Sequence, residues 1–190
     1  MISRENSESE SDSRQKIFFI RRSNLLTRYA ALSTYPAWQM MEALWTADRS
    51  GLAPPACNQI AYSLANCAAE QEMLPACRRF GVGVTVFSPL AGGLLAGPAV
   101  RQRPIAGGLR WGGGGFSARQ VALAERLEVL AGESGQSPAV LALGWLVTRP
   151  GVGAALIGPE TIAELEANAA AGAIELEPAL LERVDALRME

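Results

Sequence analysis

Apolar and polar positions along this chain switch repeatedly between a strand period and a helix period. Tyr29-Ala-Ala-Leu-Ser33 is a short apolar run ending in polar residues, the pattern of a buried strand. Pro36 then opens a helical stretch to about Arg49, with Trp38, Met41 and Trp45 at helical spacing, and Gly51 and Pro54-Pro55 end it. Cys57 to Tyr62 predicts a second strand, and Glu70 to Phe80 a helix stopped by Gly81. Gly83 to Phe87 (GVTVF) is a third strand, apolar and β-branched. Residues 98–116 are rich in Gly, Pro and Arg and read as a long loop.

Beyond the loop, Ser117-Ala-Arg-Gln120 is a capping-box pattern opening a helix to about Ala131. Ser137-Pro138 places an N-cap before a proline at the first helical position of a helix to about Thr148. Ala154 to Ile157 predicts a fourth strand. Thr161-Ile-Ala-Glu164 is a second capping-box pattern, for a helix to about Ala171. Glu177-Pro178 opens the last helix, with Leu180, Leu181, Val184 and Leu187 as its apolar stripe. Strands alternate with helices and no hairpin signal occurs, so the fold class is α/β with a parallel sheet and helical crossovers. Pattern alone leaves open whether the sheet is open or part of a barrel.

Residues 1–27 form a separate leader. Its first 16 residues are Ser- and Glu-rich with no apolar period, the composition of a disordered segment. Residues 17–27 (IFFIRRSNLLT) fit a short strand, a helical turn or an adhesive tail. The domain proper is residues 28–190. A net charge of −2 without Lys/Arg clusters gives no reason to expect a nucleic-acid partner. No apolar run approaches the roughly 20 residues of a membrane span. The three cysteines lack metal-ligand spacing and read as free thiols of a cytoplasmic protein. The chain has no histidine, and its single lysine is Lys16 in the leader. Chemistry that needs an imidazole, or a lysine held in the core, is excluded for this chain alone.

In parallel α/β folds ligands bind at the carboxyl ends of strands. Three such ends carry small or polar residues: Ser33-Thr34, Phe87-Ser88-Pro-Leu-Ala-Gly-Gly93, and Ile157-Gly158-Pro159 before the Thr161 helix. The Gly158 turn would let a ligand approach the backbone while the helix N-terminus favours an anion. Its plainer reading is a tight turn with a capped helix. Arg101, Arg103 and Arg110 either grip phosphate or solvate a loop.

Taken in order and spacing, these segments resemble the aldo-keto reductase family over about Tyr29 to Leu187. The stretches carrying the resemblance are Ser33-Thr-Tyr-Pro-Ala-Trp38, Gln59 with Tyr62, Glu72-Met-Leu-Pro75, Phe87-Ser-Pro-Leu-Ala-Gly-Gly-Leu-Leu-Ala-Gly97, Leu143-Gly-Trp145, and Ile157-Gly-Pro-Glu-Thr161 with Glu164-Leu165 and Asn168. The resemblance implies a (β/α)8 barrel of which this chain is the C-terminal half, strands 5–8, N-terminally truncated. It implies NADPH-dependent reduction of aldehydes and ketones. Ser33, Thr34 and Gln59 match positions that bond the nicotinamide carboxamide, and Phe87 matches the aromatic under the nicotinamide ring. Ser88, Leu90 and Gly92 match the pyrophosphate loop, and Gly158, Thr161, Glu164 and Asn168 the adenosine end.

Departures from the family pattern are equally specific. Glu160 stands where a basic residue often meets the 2′-phosphate of NADP, so a carboxylate would repel that phosphate and NAD becomes possible. Glu164 replaces a usual Gln, Pro98 a usual Lys, and Ser63 and Cys67 the usual Asn and Arg. The family's catalytic Asp, Tyr, Lys and His belong to its first four strands and have no counterpart here. The expectations are therefore a reductase homologue inactive by itself, a nucleotide-binding or regulatory module, or a non-functional fragment. Open sheet edges at Tyr29–Ser33 and Ala154–Ile157 predict a homodimer.

Overall fold

The computed structural model describes residues 29–103 and 115–188. Lys16, the 17–27 segment and Arg110 lie outside them. Four strands, β1 (Ala31–Ser33), β2 (Cys57–Ala61), β3 (Gly83–Phe87) and β4 (Val152–Ala155), form one sheet in the order β1-β2-β3-β4. All three pairings are parallel. Each step crosses over through helix, as parallel neighbours require. Helix α1 (Ala37–Arg49) joins β1 to β2, and α2 (Met73–Phe80) joins β2 to β3. Between β3 and β4 run α3 (Pro98–Arg101), α4 (Ala118–Ser134) and α5 (Pro138–Val147); α6 (Ile162–Ala171) and α7 (Pro178–Ala186) follow β4.

Local chemistry sets most boundaries as predicted. Ser117 and Gln120 complete the capping box of α4 in both directions, at 3.3 and 2.9 Å. Ser137 Oγ accepts from Val140 N–H at 3.2 Å, with Pro138 in the first turn of α5. Gly81 closes α2 in the left-handed region at φ 70°, where a Cβ would be strained.

Four expectations need correction. The helix expected from Glu70 begins at Met73, after a separate 3-10 turn over Ala68–Glu70. The α4 helix continues past Ala131 to Ser134, until left-handed Gly135 stops it. The stretch expected to be wholly loop from residue 98 starts with α3, because Pro98 suits a first helical turn. The fourth strand lies two residues before the predicted Ala154–Ile157. A one-residue bulge interrupts its pairing with β3: Val84 faces Val152 but Thr85 faces Ala154, leaving Gly153 between them. A Cβ on Gly153 would stand 3.3 Å from the Val84 carbonyl oxygen, so glycine lets the strands close.

The core occupies one side of the sheet. Leu32, Asn58, Ile60, Val84 and Val86 point into it and are buried. Met40 of α1, Cys77 of α2, Leu127 of α4 and Trp145 of α5 pack in the same cluster with Leu32, Ile60, Val84 and Val86. Helix α5 is apolar nearly all round and buried from Ala139 to Leu146, as a helix enclosed by other elements must be. Trp145 is fully buried. Its indole N–H donates to Asp185 at 2.8 Å, while the Arg149 and Arg188 guanidinium groups lie 4.9 and 5.1 Å from its ring centre. Arg188 also bonds Glu70 at 2.8 Å, tying the end of the chain to the segment after β2. The alternate strand positions, Ser33, Gln59, Thr85 and Phe87, face away from the helices and stay at least partly exposed. A parallel sheet is normally covered on both faces; here one face is open, as in a partial barrel.

Candidate functional site

The open face carries the first group of candidate residues. Parallel register sets Ser33 beside Gln59, Gln59 beside Thr85, and Ala61 beside Phe87. Ser33, Gln59 and Phe87 therefore share one face near the carboxyl ends of β1, β2 and β3. Thr34 follows β1 with φ 61°, and Ser88 follows β3 with φ 52°. Left-handed backbone is uncommon for non-glycine residues, and such positions persist only where surrounding structure holds them. Thr34 is held by its N–H bond to the Gln59 carbonyl at 2.8 Å. Its hydroxyl sits 3.4 Å from that of Ser33.

Asn58 fixes the same corner from behind. It is fully buried, and its side-chain N–H donates to the Tyr35 carbonyl at 3.0 Å. Sequence reasoning passed over Asn58, although a polar residue inside an otherwise apolar strand was the available signal.

The second group lines a groove of about 610 Å³ beyond the end of β3. One wall is the turn after Phe87, where Ser88, Leu90 and Gly92 border the groove. Buried Leu94 and Leu95 anchor this turn in the core. Ala91, Gly92 and Gly93 all have positive φ, so the chain coils tightly there. The opposite wall is Gly158 with the first turns of α6, where Glu164 and Asn168 also border the groove. A Cβ on Gly158 would meet no atom within 4 Å, so this wall is open to a ligand. Thr161 caps α6 instead of lining the groove: its hydroxyl accepts from Glu164 N–H at 3.2 Å.

Electrostatics at that end are acidic and internally paired. Glu164 does not return to the Thr161 N–H as a capping box would; its carboxylate accepts from Glu160 N–H at 2.8 Å. Arg103 crosses the groove to pair with Glu160 at 3.1 Å and with Glu164. The Arg103 bond holds the Glu164 carboxyl below the usual carboxylate range. Arg101 is committed elsewhere, to Glu128. Of the three loop arginines, Arg103 is thus the one that borders the groove among the described residues.

The volume falls within the roughly 300–1,000 Å³ of small-molecule sites. Small residues and an N-terminal helix turn suit the backbone of a dinucleotide. The carboxylates at that turn do not suit an additional phosphate. Among the described residues, no group of three or more His, Cys, Asp or Glu is placed to hold a metal ion. Tyr62 does not present an acid to the open face. It is buried, its hydroxyl donates to Glu70, and burial followed by that bond pushes its pKa well up.

A parallel α/β fold with a groove of small-molecule size at its strand ends belongs to the class of folds that bind ligands there. The sequence places it further. The model of the Aldo/keto reductase family matches residues 26–189, and the chain belongs to that family, whose members generally bind nicotinamide dinucleotides. It is 33% identical over 160 residues to the uncharacterized oxidoreductase YrpG of Bacillus subtilis (strain 168), covering 80% of this chain and 46% of that protein. It is 35% identical over 128 residues to the uncharacterized oxidoreductase Rv2298 of Mycobacterium tuberculosis (strain ATCC 25618 / H37Rv), covering 65% and 39%. A probable voltage-gated potassium channel subunit beta of Arabidopsis thaliana is 28% identical over 148 residues, covering 74% and 45%. The chain therefore spans about half the length of the curated relatives it matches, or less.

Proposed function

We propose that this chain binds a nicotinamide dinucleotide and, by itself, does not reduce carbonyl compounds. The nicotinamide end lies on the open face, with Ser33, Thr34 and Gln59 toward its carboxamide and Phe87 under its ring. An aromatic face suffices for that stacking. The pyrophosphate follows Ser88, Leu90 and Gly92, and the adenosine end reaches Gly158, Glu164 and Asn168, with Thr161 capping α6. The observation that carries this reading is the continuity at Phe87–Ser88, where the open face runs into the groove through a left-handed corner. The acidic α6 end favours NAD(H) over NADP(H). When bound, the cofactor supplies or accepts a hydride; these residues orient it.

The positions that match the family include no counterpart of its catalytic Tyr, the general acid that protonates a carbonyl oxygen, nor of the Lys and Asp that assist it. Calorimetric titration with NADH and NADPH tests the reading. Binding weakened by Phe87→Ala and by Gly158→Asp supports it, and no binding of either dinucleotide refutes it.

A second reading follows from the length of the relatives named oxidoreductases. Joined to a partner carrying the missing strands, the same site would serve a reductase. The relative named as a channel subunit supports a regulatory use of bound cofactor. Three free thiols, at Cys57, Cys67 and Cys77, suit a cytoplasmic setting. Among the described residues no helix is long and apolar enough to cross a membrane. Self-association through the open sheet edges belongs to this proposal as well.

A further inference from the structure

Helix α1 buries Met40, Ala43 and Ala47 against the rest of the fold. On its opposite, outward side Trp38, Glu42 and Trp45 form a stripe at i, i+4 and i+7, and Asp48 flanks it one turn further on. The two tryptophans are 64% and 60% exposed. The Arg49 guanidinium lies 5.0 Å from the Trp45 ring centre and covers part of it. Glu42 and Asp48 are exposed and form no ion pair among the described residues. An exposed apolar patch with polar residues at its margin marks an interaction surface.

We propose that residues 17–28 of the same chain cover this stripe, as a short helix lying along the outside of α1. The inference does not rest on dinucleotide binding, and it needs neither edge of the sheet to be open.

Three features carry it. The first is register. In IFFIRRSNLLTR, Phe18, Arg22 and Leu25 repeat the i, i+4, i+7 spacing of the stripe. With the two helices parallel and offset by 20 positions, Phe18 meets Trp38, Arg22 meets Glu42 and Leu25 meets Trp45. The same offset brings Arg28 to Asp48. The second is direction and reach. A crossover helix runs back against its strands, so α1 ends on the side of the sheet where β1 begins. Ala56, a short loop beyond α1, accordingly bonds the Ala30 carbonyl at 2.8 Å. A segment that enters the fold at Tyr29 therefore has its last residues beside Trp45 and its first toward Trp38, the sense that the parallel register requires. The steps from Leu25 to Tyr29 span up to about 14 Å, more than the ~8–10 Å between the axes of packed helices. The third is charge: the segment carries Arg21, Arg22 and Arg28 and no carboxylate, facing Glu42 and Asp48. A tether this short also holds the segment at about millimolar effective concentration. Docking within one chain thus outcompetes a second copy at micromolar concentration.

Hydrogen exchange read by mass spectrometry on the full chain provides the test. A segment of this length is too short to be a stable helix in water by itself, so amide protection there reports docking. Residues 17–27 should exchange about tenfold or more slowly than the same sequence as a free peptide, and equally at one and at tens of micromolar. Trp38→Glu/Trp45→Glu should abolish that protection and leave the protection of β2 and β3 unchanged. Glu42→Arg should weaken it, and Arg22→Glu added to Glu42→Arg should restore it; this charge reversal reads the same contact if the tryptophan substitutions disturb the fold. Val129→Glu, at an exposed apolar residue of α4, should change nothing. Exchange of residues 17–27 at the free-peptide rate would overturn the inference. So would protection indifferent to the α1 substitutions, a reversed pair that restores nothing, or protection lost on dilution, the mark of a second copy.

Discussion

Arg103 reaches across the groove to Glu160, with a guanidinium nitrogen 3.1 Å from the carboxylate, although the two residues are far apart in the chain. On the dinucleotide reading proposed above, the pair neutralises the arginine that borders the groove and keeps a carboxylate where a 2′-phosphate would sit. NADPH should therefore bind no more tightly than NADH. Glu160→Gln should raise NADPH affinity about two- to fivefold, the scale of one exposed charge interaction, and leave NADH unchanged. Calorimetric titration of both forms decides the matter; a wild-type preference for NADPH would sink the electrostatic reading.

Turnover is the second expectation. The chain has no histidine, its single lysine is Lys16, and Tyr62 is buried and bonded to Glu70. Without a general acid the rate falls by about 10²- to 10⁴-fold. The pure chain with NADPH or NADH and a reactive aldehyde should show no change in nicotinamide absorbance beyond the blank. Turnover near 1 per second, an ordinary enzyme rate, would refute the proposal.

Asn58 should matter for both stability and site. Asn58→Ala removes the bond to the Tyr35 carbonyl and leaves a small void behind the Ser33–Thr34 corner. The cost should be about 1–3 kcal/mol in urea unfolding, the range for a buried polar partner removed. Dinucleotide affinity should weaken alongside it. An Asn58→Ala chain with unchanged unfolding midpoint would show that the corner is held by other means.

Acid stability should report on Asp185. Partial burial acts to raise its pKa, but the bonds from Trp145 and Arg188 outweigh that and hold it below the ordinary value. A carboxyl with a depressed folded pKa binds its proton more readily when unfolded. Its contribution is therefore complete above the unfolded value, about 4, and is lost as pH falls through the lower folded value. Stability measured from pH 7 to pH 2.5 should drop below about pH 4. Asp185→Asn should be less stable at pH 7 and show a shallower acid limb. An acid limb of equal steepness in the variant would rule Asp185 out as its source.

Much of the architecture was legible along the chain because its causes are local. The Ser117–Gln120 and Ser137–Val140 caps, the Gly81 stop and the Leu180–Leu187 stripe each depend on residues within two turns of one another. Helix and strand periods alternate, and that alone requires parallel strands with crossovers. Candidate positions at strand ends followed from the same logic, since the carboxyl ends of parallel strands are where loops converge.

Other features arise from residues brought together across the fold. The position of β4 depends on Gly153 passing close to the Val84 carbonyl, a contact 69 positions removed that strand propensity does not register. Glu164 reads locally as half of a capping box with Thr161, yet its carboxylate bonds Glu160 N–H and Arg103, because a charged partner from a distant loop outcompetes the weaker local arrangement. Asn58 and Gln59 are adjacent polar residues, and only the sheet decides that one turns to the core and the other to the open face. Amino-acid order thus determined which elements form and where they stop, through backbone sterics and short-range hydrogen bonds. Tertiary packing decided which charges meet, which polar groups are buried and which sheet face remains open, since those energies depend on distances that chain order does not contain.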